Sequence, residues 1–160
     1  MKDIIQQTKQ EVEFLVKEAL GRAVAKGTLP AEPIPAFTVE VPADTKNGDF
    51  ACNAAMVSAR AFHKAPRQIA QAIEEELVLE GSPFVKMEVA GPGFLNFFVS
   101  QDWFANIVKA VQDQGKDYGR TDLGKGKKVM VEFVSANPTG PMHIGNARGG
   151  AIGDCLASVL

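Results

Sequence analysis

The chain has 160 residues, 46% of them hydrophobic and 22% charged, and its formal net charge is −2 at pH 7. This composition is ordinary for a globular protein with a buried core, and the lack of net positive charge means that any RNA contact must be local or shared with parts outside this chain. The two widely separated cysteines argue against a disulfide scaffold or a zinc site and favour a cytoplasmic setting. The polar N-terminus argues against a signal peptide. No apolar run approaches the ~20 residues that a membrane span needs.

The first element is predicted to be an amphipathic helix over residues 3–26, because its apolar residues recur at mostly helical spacing. Gly27 ends this helix, and prolines then surround a short strand, Phe37–Val41. Pro42 confines that strand to an edge or an end of a sheet. The next helix is predicted over the Ala-rich residues 51–64.

The third predicted helix begins at Pro66, which suits the first helical position, and Gly81 is expected to close it. The residues expected on its inner face are Ile69, Ala70, Ile73 and Leu77. A last helix in this half of the chain is predicted over residues 101–114, with Ser100 as its N-cap. The residues expected on its buried side are Trp103, Phe104, Ile107, Val108 and Val111.

Between these helices the apolar period changes from helical to two, which predicts an antiparallel hairpin joined by Gly91-Pro92-Gly93. The residues expected to face the core are Val85, Met87, Val89, Leu95, Phe97 and Val99. The opposite face of the second strand then carries Phe94, Asn96 and Phe98. One interpretation is that a helix or a further domain covers this face. The other is a stacking platform, because aromatic rings beside an amide suit an unpaired RNA base.

The order of elements predicts a small two-layer α+β domain with antiparallel strands over residues 1–120. Residues 115–128 form a polar, Gly-rich linker, and residues 121–160 belong to a second domain. Its strand, Val129–Val134, is apolar on both faces except at Glu132, as in the parallel sheet of an α/β domain.

Polar side chains follow this strand at its carboxyl end, where open α/β sheets bind ligands. They are Glu132, Ser135 and Asn137. A carboxylate next to a buried strand needs a partner. That partner is either a cationic group of a ligand or a structural arginine such as Arg148.

A Gly/Pro loop leads from this strand to a helix that begins near His143. His143 and Asn146 share one face of the helix start, where their side chains could donate hydrogen bonds to phosphate oxygens. A structural role for a histidine at a helix start is the alternative. Gly145, Gly149 and Gly153 form a stripe without side chains. Gly145 is expected to allow approach of a flat ligand ring, and the other two are expected to serve packing.

These residues resemble the N-terminal quarter of a bacterial arginyl-tRNA synthetase. The segment VEFVSANPTGPMHIGNARGGAIGD is similar to the first class I signature of that family and its flanks. The segments GDFACNAAM, APRQIAQAI and GPGFLNFFV resemble landmarks of the family's N-terminal additional domain, in the same order and at similar spacing.

The resemblance implies a class I Rossmann-type catalytic domain that starts within residues 121–160. That domain would activate arginine with ATP and Mg²⁺, without a structural metal, and pass arginine to tRNA(Arg). His143, Gly145 and Asn146 would bind ATP and its transition state, with His143 and Asn146 in the catalytic positions. Glu132, Ser135 and Asn137 would frame the arginine. Asn146 departs from the family's usual histidine, which leaves the charge balance of the ATP site open.

The resemblance also assigns Phe94 and Asn96 to contact with a D-loop base of the tRNA elbow. Two alternatives remain: a module that only binds tRNA, and another nucleotidyl transferase with an HxGH-type loop. The chain alone is expected to be inactive, because later signatures of the family are absent from it. Val129–Val134 and the helix after it are expected to be disordered, or paired with the additional domain or with another copy of the chain through the incomplete catalytic domain.

Overall fold

The computed structural model describes residues 4–122 and 124–160. These residues divide into two compact units, one that extends to Tyr118 and one that runs from Gly119 to Leu160. The helices are α1 Ile4–Ala25, α2 Ala54–Phe62, α3 Pro66–Glu76, α4 Gln101–Gln114 and α5 Ile144–Val159, with short 3₁₀ turns at Thr45–Asn47 and Gly115–Asp117. The strands are β1 Val39–Glu40, β2 Phe50–Cys52, β3 Phe84–Ala90 and β4 Phe94–Val99.

The first unit is an α+β fold built on a four-stranded sheet with the order β1-β2-β4-β3. Every neighbouring pair of strands is antiparallel. Helix α1 packs against α3 and β1, α2 packs against α3 and β4, and α3 packs against β3. The core therefore lies between one face of the sheet and the first three helices, and the antiparallel α+β prediction for this part of the chain is confirmed.

The hairpin prediction is confirmed for β4, whose Leu95, Phe97 and Val99 are all buried. The α3 prediction is also confirmed, except that Leu77 is half-buried and the helix ends at Glu76, before Gly81. Cys52 lies in the same core, and burial raises the pKa of its thiol to about 12. The thiol is therefore protonated and unreactive at neutral pH.

Strand β3 departs from the predicted alternation at its start. Its register against β4 shifts between Phe84 and Lys86, so that Phe84 is buried and Val85 is 62% exposed. Such an irregularity shifts the alternation of side chains between the two faces of a sheet, and the prediction that Val85 faces the core is wrong. Phe84 instead packs edge-on against Phe97, with ring centroids 5.2 Å apart.

Helix α4 has the predicted boundaries and the predicted cap, because Ser100 Oγ accepts a hydrogen bond from the Trp103 amide. The predicted buried side is wrong: no residue of α4 is buried. Trp103 alone reaches the core edge, where its Nε1 donates to Thr8 Oγ1 at 2.9 Å. The residues of this helix that lie exposed instead are Phe104, Val108 and Val111.

The helix predicted over residues 51–64 is present, but its first two residues belong to strand β2. The residues Phe50, Ala51 and Cys52 instead pair with β4, and α2 begins after them at Ala54. The misassigned stretch is apolar and short, so its local pattern does not separate strand from helix.

A tight contact holds β2 beside β4. The backbone amide of Asp49 donates to the Phe97 carbonyl at 2.9 Å, and the Asp49 carboxylate accepts from the Val99 amide at 2.9 Å. Gly48 precedes them with φ +83° and ψ −175°, a conformation that is essentially restricted to glycine. A β-carbon at this position would lie 2.8 Å from the Phe97 carbonyl oxygen. The name "β4 clamp" is used below for Gly48 and Asp49.

In the second unit, residues 127–137 form neither helix nor strand, so the predicted strand Val129–Val134 is wrong for this chain. A strand needs a neighbour for its backbone hydrogen bonds, and none of the described residues pairs with this segment. Helix α5 is present as predicted, with only Gly153 buried. None of the helices in the described part of the chain combines the length and apolarity needed to cross a membrane.

Replacement of Gly48 by Ala is expected to lower the free energy of unfolding by about 3 kcal/mol, because it combines a strained backbone with overlap against a main-chain oxygen. The measurement is urea unfolding monitored by circular dichroism. Gly21→Ala is the control, since Gly21 lies in α1 with no atom within 4 Å of an added β-carbon and alanine favours a helix by roughly 1 kcal/mol. Equal stability of Gly48→Ala and the unmodified chain would contradict the close approach of residue 48 to the Phe97 carbonyl oxygen.

Candidate functional site

The outer face of the sheet carries a row of four residues, one from each strand. Glu40 lies opposite Ala51, Ala51 lies opposite Asn96, and Asn96 lies opposite Glu88. Residues in direct register point to the same side of a sheet. The row therefore sets the Asn96 amide between two carboxylates, with the small Ala51 side chain separating it from Glu40.

A groove of about 260 Å³ lies on this face, towards the Glu40 end of the row. The residues that line it are Glu40, Pro42, Asn47, Ala51, Ala90, Gly91, Phe94 and Asn96. Three of these have a methyl group or no side chain at all, which leaves the space open. The groove thus combines one aromatic ring, two amides and one carboxylate.

Phe94 and Phe98 occupy the same face of β4 but differ in their surroundings. The Lys86 ammonium lies 4.2 Å from the centroid of the Phe98 ring and is held by the Glu88 carboxylate at 2.6 Å. This cation–π contact covers Phe98. Phe94 lines the groove, so it is the aromatic ring of the predicted platform that can accept a flat ligand there.

Asn96 is 4% exposed as a whole residue, and its side-chain amide has no hydrogen-bond partner among residues 4–122 and 124–160. Its polar atoms are not among the fully enclosed side-chain atoms that lack a partner, so they are open to the groove. The amide lines the groove beside Phe94. A ligand in the groove could therefore supply the missing partner.

Sequence reasoning selected Phe94 and Asn96 but missed Glu40 and Asn47. Glu40 reaches the groove only because β1 pairs with β2, and Asn47 does so through the 3₁₀ turn that precedes the β4 clamp. These residues are about 50 positions from Asn96 in the chain, and no local pattern links them. The polar residue Glu40 within the predicted short strand was the one available signal.

The second unit contains the other predicted residues. Glu132 and Ser135 are exposed, and Ser135 Oγ donates to Glu132 Oε1 at 2.7 Å. Glu132 forms no ion pair with Arg148 among the described residues. Ser135 therefore takes the place of the arginine partner considered from the sequence. Asn137 is exposed, and its carbonyl accepts from the Thr139 amide at 2.8 Å.

His143 and Asn146 form a reciprocal cap at the start of α5. The Gly145 amide donates to His143 Nδ1 at 3.1 Å, and the His143 amide donates to Asn146 Oδ1 at 3.1 Å. Nδ1 acts here as an acceptor, so a neutral imidazole carries its proton on Nε2. The Nε2–H group and the Asn146 NH₂ group both remain available as donors.

A surface hollow beside this cap includes His143 and Asn146 but none of Glu132, Ser135 and Asn137. The two predicted half-sites are therefore not joined in one cavity within the described residues.

The glycines of α5 differ in what lies beside them. A β-carbon on Gly145 would lie 2.9 Å from the His143 ring, so Gly145 makes room for the capping imidazole. Gly153 lies under the Phe133 ring, and Gly150 lies against Val134. Gly149 has no neighbour within 4 Å of an added β-carbon. The packing prediction is confirmed at Gly153 and is wrong at Gly149.

Known proteins resemble the chain over its whole length. The arginine–tRNA ligase of Caldanaerobacter subterraneus subsp. tengcongensis is 53% identical over 160 residues, which is 100% of this chain and 28% of the relative. The arginine–tRNA ligase of Acetivibrio thermocellus is 45% identical over the same shares of the two proteins. The chain therefore spans 28% of the length of these relatives.

A solved structure and a family profile agree with these relatives. The crystal structure of arginyl-tRNA synthetase from Plasmodium falciparum matches 92% of this chain and 27% of that protein with a TM-score of 0.52, and at 18% identity it shows a shared fold. The profile described as arginyl tRNA synthetase N terminal domain matches residues 10–99, which is more than half of the chain. The chain therefore belongs to the arginyl tRNA synthetase N terminal domain family.

Proposed function

We propose that this chain is the N-terminal, tRNA-binding part of an arginine–tRNA ligase. In this proposal residues 1–120 hold the elbow of tRNA(Arg), and residues 121–160 form the linker and the start of a Rossmann-type catalytic domain. The observation that carries the proposal is the groove in which the open Phe94 ring lies beside the unpaired amide of Asn96. The family membership and the names of the relatives support the same conclusion.

The groove suits an unpaired base better than a compact ion. Its one ring, Phe94, offers a stacking surface, which contributes about 1–3 kcal/mol for each base. Asn96 has both a donor and an acceptor and can pair with the edge of a base. The D-loop of a tRNA supplies unpaired bases of this kind, and loops are the usual targets of specific RNA recognition.

In a protein as long as the relatives, the second unit would take part in an ATP-dependent step. In this reaction the arginine carboxylate attacks the α-phosphorus of ATP, arginyl-adenylate forms and pyrophosphate leaves. Mg²⁺ accompanies ATP as part of the substrate. His143 Nε2–H and the Asn146 NH₂ group would donate to phosphate oxygens, and Gly145 keeps the imidazole in place. Catalysis of this kind rests on positioning and electrostatic stabilisation, without a covalent nucleophile.

The arginine substrate would lie near Glu132, whose carboxylate can pair with a guanidinium in a bidentate contact. Ser135 orients that carboxylate through its hydroxyl, and Asn137 would frame the amino acid from the same segment. The 160 residues alone are expected not to arginylate tRNA, because these half-sites share no cavity. The cell compartment proposed for the protein is the cytoplasm.

Replacement of Phe94 by Ala is expected to weaken binding of tRNA(Arg) to the chain by about 5- to 150-fold, the equivalent of about 1–3 kcal/mol for one stacked base. The measurement is filter binding or fluorescence anisotropy with the tRNA transcript, after circular dichroism has verified the fold. Phe98→Ala is the matched control, since Phe98 lies on the same face of β4 but under Lys86. Equal losses for the two variants would contradict the groove as the base site.

Replacement of His143 by Ala is expected to destabilise the start of α5 by about 1 kcal/mol, because the N-cap acceptor for the Gly145 amide is lost. His143→Ser supplies another N-cap and should keep the helix. Amide hydrogen exchange at Gly145 and Asn146 is the measurement, with fast exchange expected only in the Ala variant. If the Ser variant exchanged as fast as the Ala variant, capping would not be the structural role of residue 143.

A further inference from the structure

One stretch of the chain departs from its overall negative charge. Residues 50–73 contain no Asp or Glu, but they contain Arg60, Lys64 and Arg67. All three side chains are exposed. None of them forms an ion pair within residues 4–122 and 124–160. Three uncompensated cations therefore lie within eight consecutive residues of a chain whose net charge is −2.

The fold gathers these cations at one connection. Arg60 lies in the last turn of α2, Arg67 lies in the first turn of α3, and Lys64 lies between the two helices. The name "basic connection" is used below for Arg60, Lys64 and Arg67. The buried residues of α2 and α3 face the core, and the side chains of the basic connection are exposed to solvent.

A close contact sets this connection beside the groove. A β-carbon on the buried Gly93 would lie 3.1 Å from the carbonyl carbon, carbonyl oxygen and Cβ of Pro66. The start of α3 therefore rests on the turn between β3 and β4. Gly91 of that turn and Phe94, which follows it, both line the groove. The connection that carries the cations thus meets the turn that leads to the stacking ring.

The groove itself cannot neutralise a phosphate. None of the residues that line it is Lys or Arg, and Glu40 contributes a negative charge. A nucleotide whose base stacks on Phe94 nevertheless carries phosphate groups along its backbone. These groups need cations outside the groove, and the basic connection supplies cations that have no other partner. Arginine in particular matches phosphate geometry with a bidentate contact.

We propose that Arg60, Lys64 and Arg67 form a phosphate-binding surface for the RNA backbone next to the base held in the groove. This inference rests on the proposed tRNA-binding function. It assigns two roles to two surfaces that meet where Pro66 contacts Gly93: the groove recognises the base, and the basic connection holds the backbone. The surface is independent of base identity, because phosphate contacts carry no direct sequence information.

The test is the salt dependence of tRNA(Arg) binding to the chain, measured between about 50 and 200 mM KCl. Each phosphate contact contributes about 0.7–0.9 to the slope of log affinity against log salt. Lys64→Ala and Arg67→Ala should each lower the slope by about that amount, and the triple variant of the basic connection should lower it by about two to three. Lys64→Arg should keep the slope of the unmodified chain.

Lys109→Ala is the charge-matched control. Lys109 lies on α4, which begins at the end of β4 opposite to Phe94, and its ammonium is paired with Asp113. Its slope should stay unchanged. Equal slopes for the unmodified chain and the triple variant, with Phe94→Ala still weakening binding, would overturn the inference and leave the proposed function intact. If Phe94→Ala had no effect while the triple variant lowered the slope, the groove proposal would fail and the backbone surface would stand.

Discussion

The β4 clamp is the contact on which the rest of the first unit depends. Asp49 accepts a hydrogen bond from the Val99 amide and donates its own amide to the Phe97 carbonyl. Hydrogen bonds to a charged group contribute about 1.5–3 kcal/mol, and the approach requires glycine at position 48. Because the clamp fixes β2 against β4, it also fixes β1, which pairs only with β2 among the described residues. The position of β1 and β2 on the outer face follows from this contact, and the β3–β4 hairpin completes that face.

Two kinds of chemistry occur in the first unit, one in the groove and one on the basic connection. The groove contains an aromatic ring, two amides and a carboxylate, which suit an uncharged ring with hydrogen-bonding edges. The cations lie on the connection between α2 and α3, whose Pro66 contacts Gly93 in the turn before Phe94. In the proposed function, a chain with a net charge of −2 binds a polyanion through a local group of cations that have no ion-pair partner among the described residues.

Local pattern was sufficient where an element is long or strongly periodic. It predicted α1, α3 and the strand that carries Leu95, Phe97 and Val99, and it assigned Phe94 and Asn96 to one face. It failed where distant residues decide the outcome. Phe50 is a strand residue because it pairs with Phe97, and Val85 turns outwards because the register shifts. Glu40 joins the groove only through strand pairing. Val129–Val134 forms no strand because none of the described residues pairs with it.

The central proposal is that the groove on the face ordered by the β4 clamp binds an unpaired base that stacks on Phe94 and pairs with Asn96. The most direct measurement is an NMR titration of the ¹⁵N-labelled chain with an RNA hairpin that carries the D-loop of tRNA(Arg). The account predicts that the largest shift changes occur at the Asn96 side-chain amide and at the backbone amides of Ala51 and Gly91, which line the groove. Saturable binding that leaves these three signals in place and shifts others would contradict it.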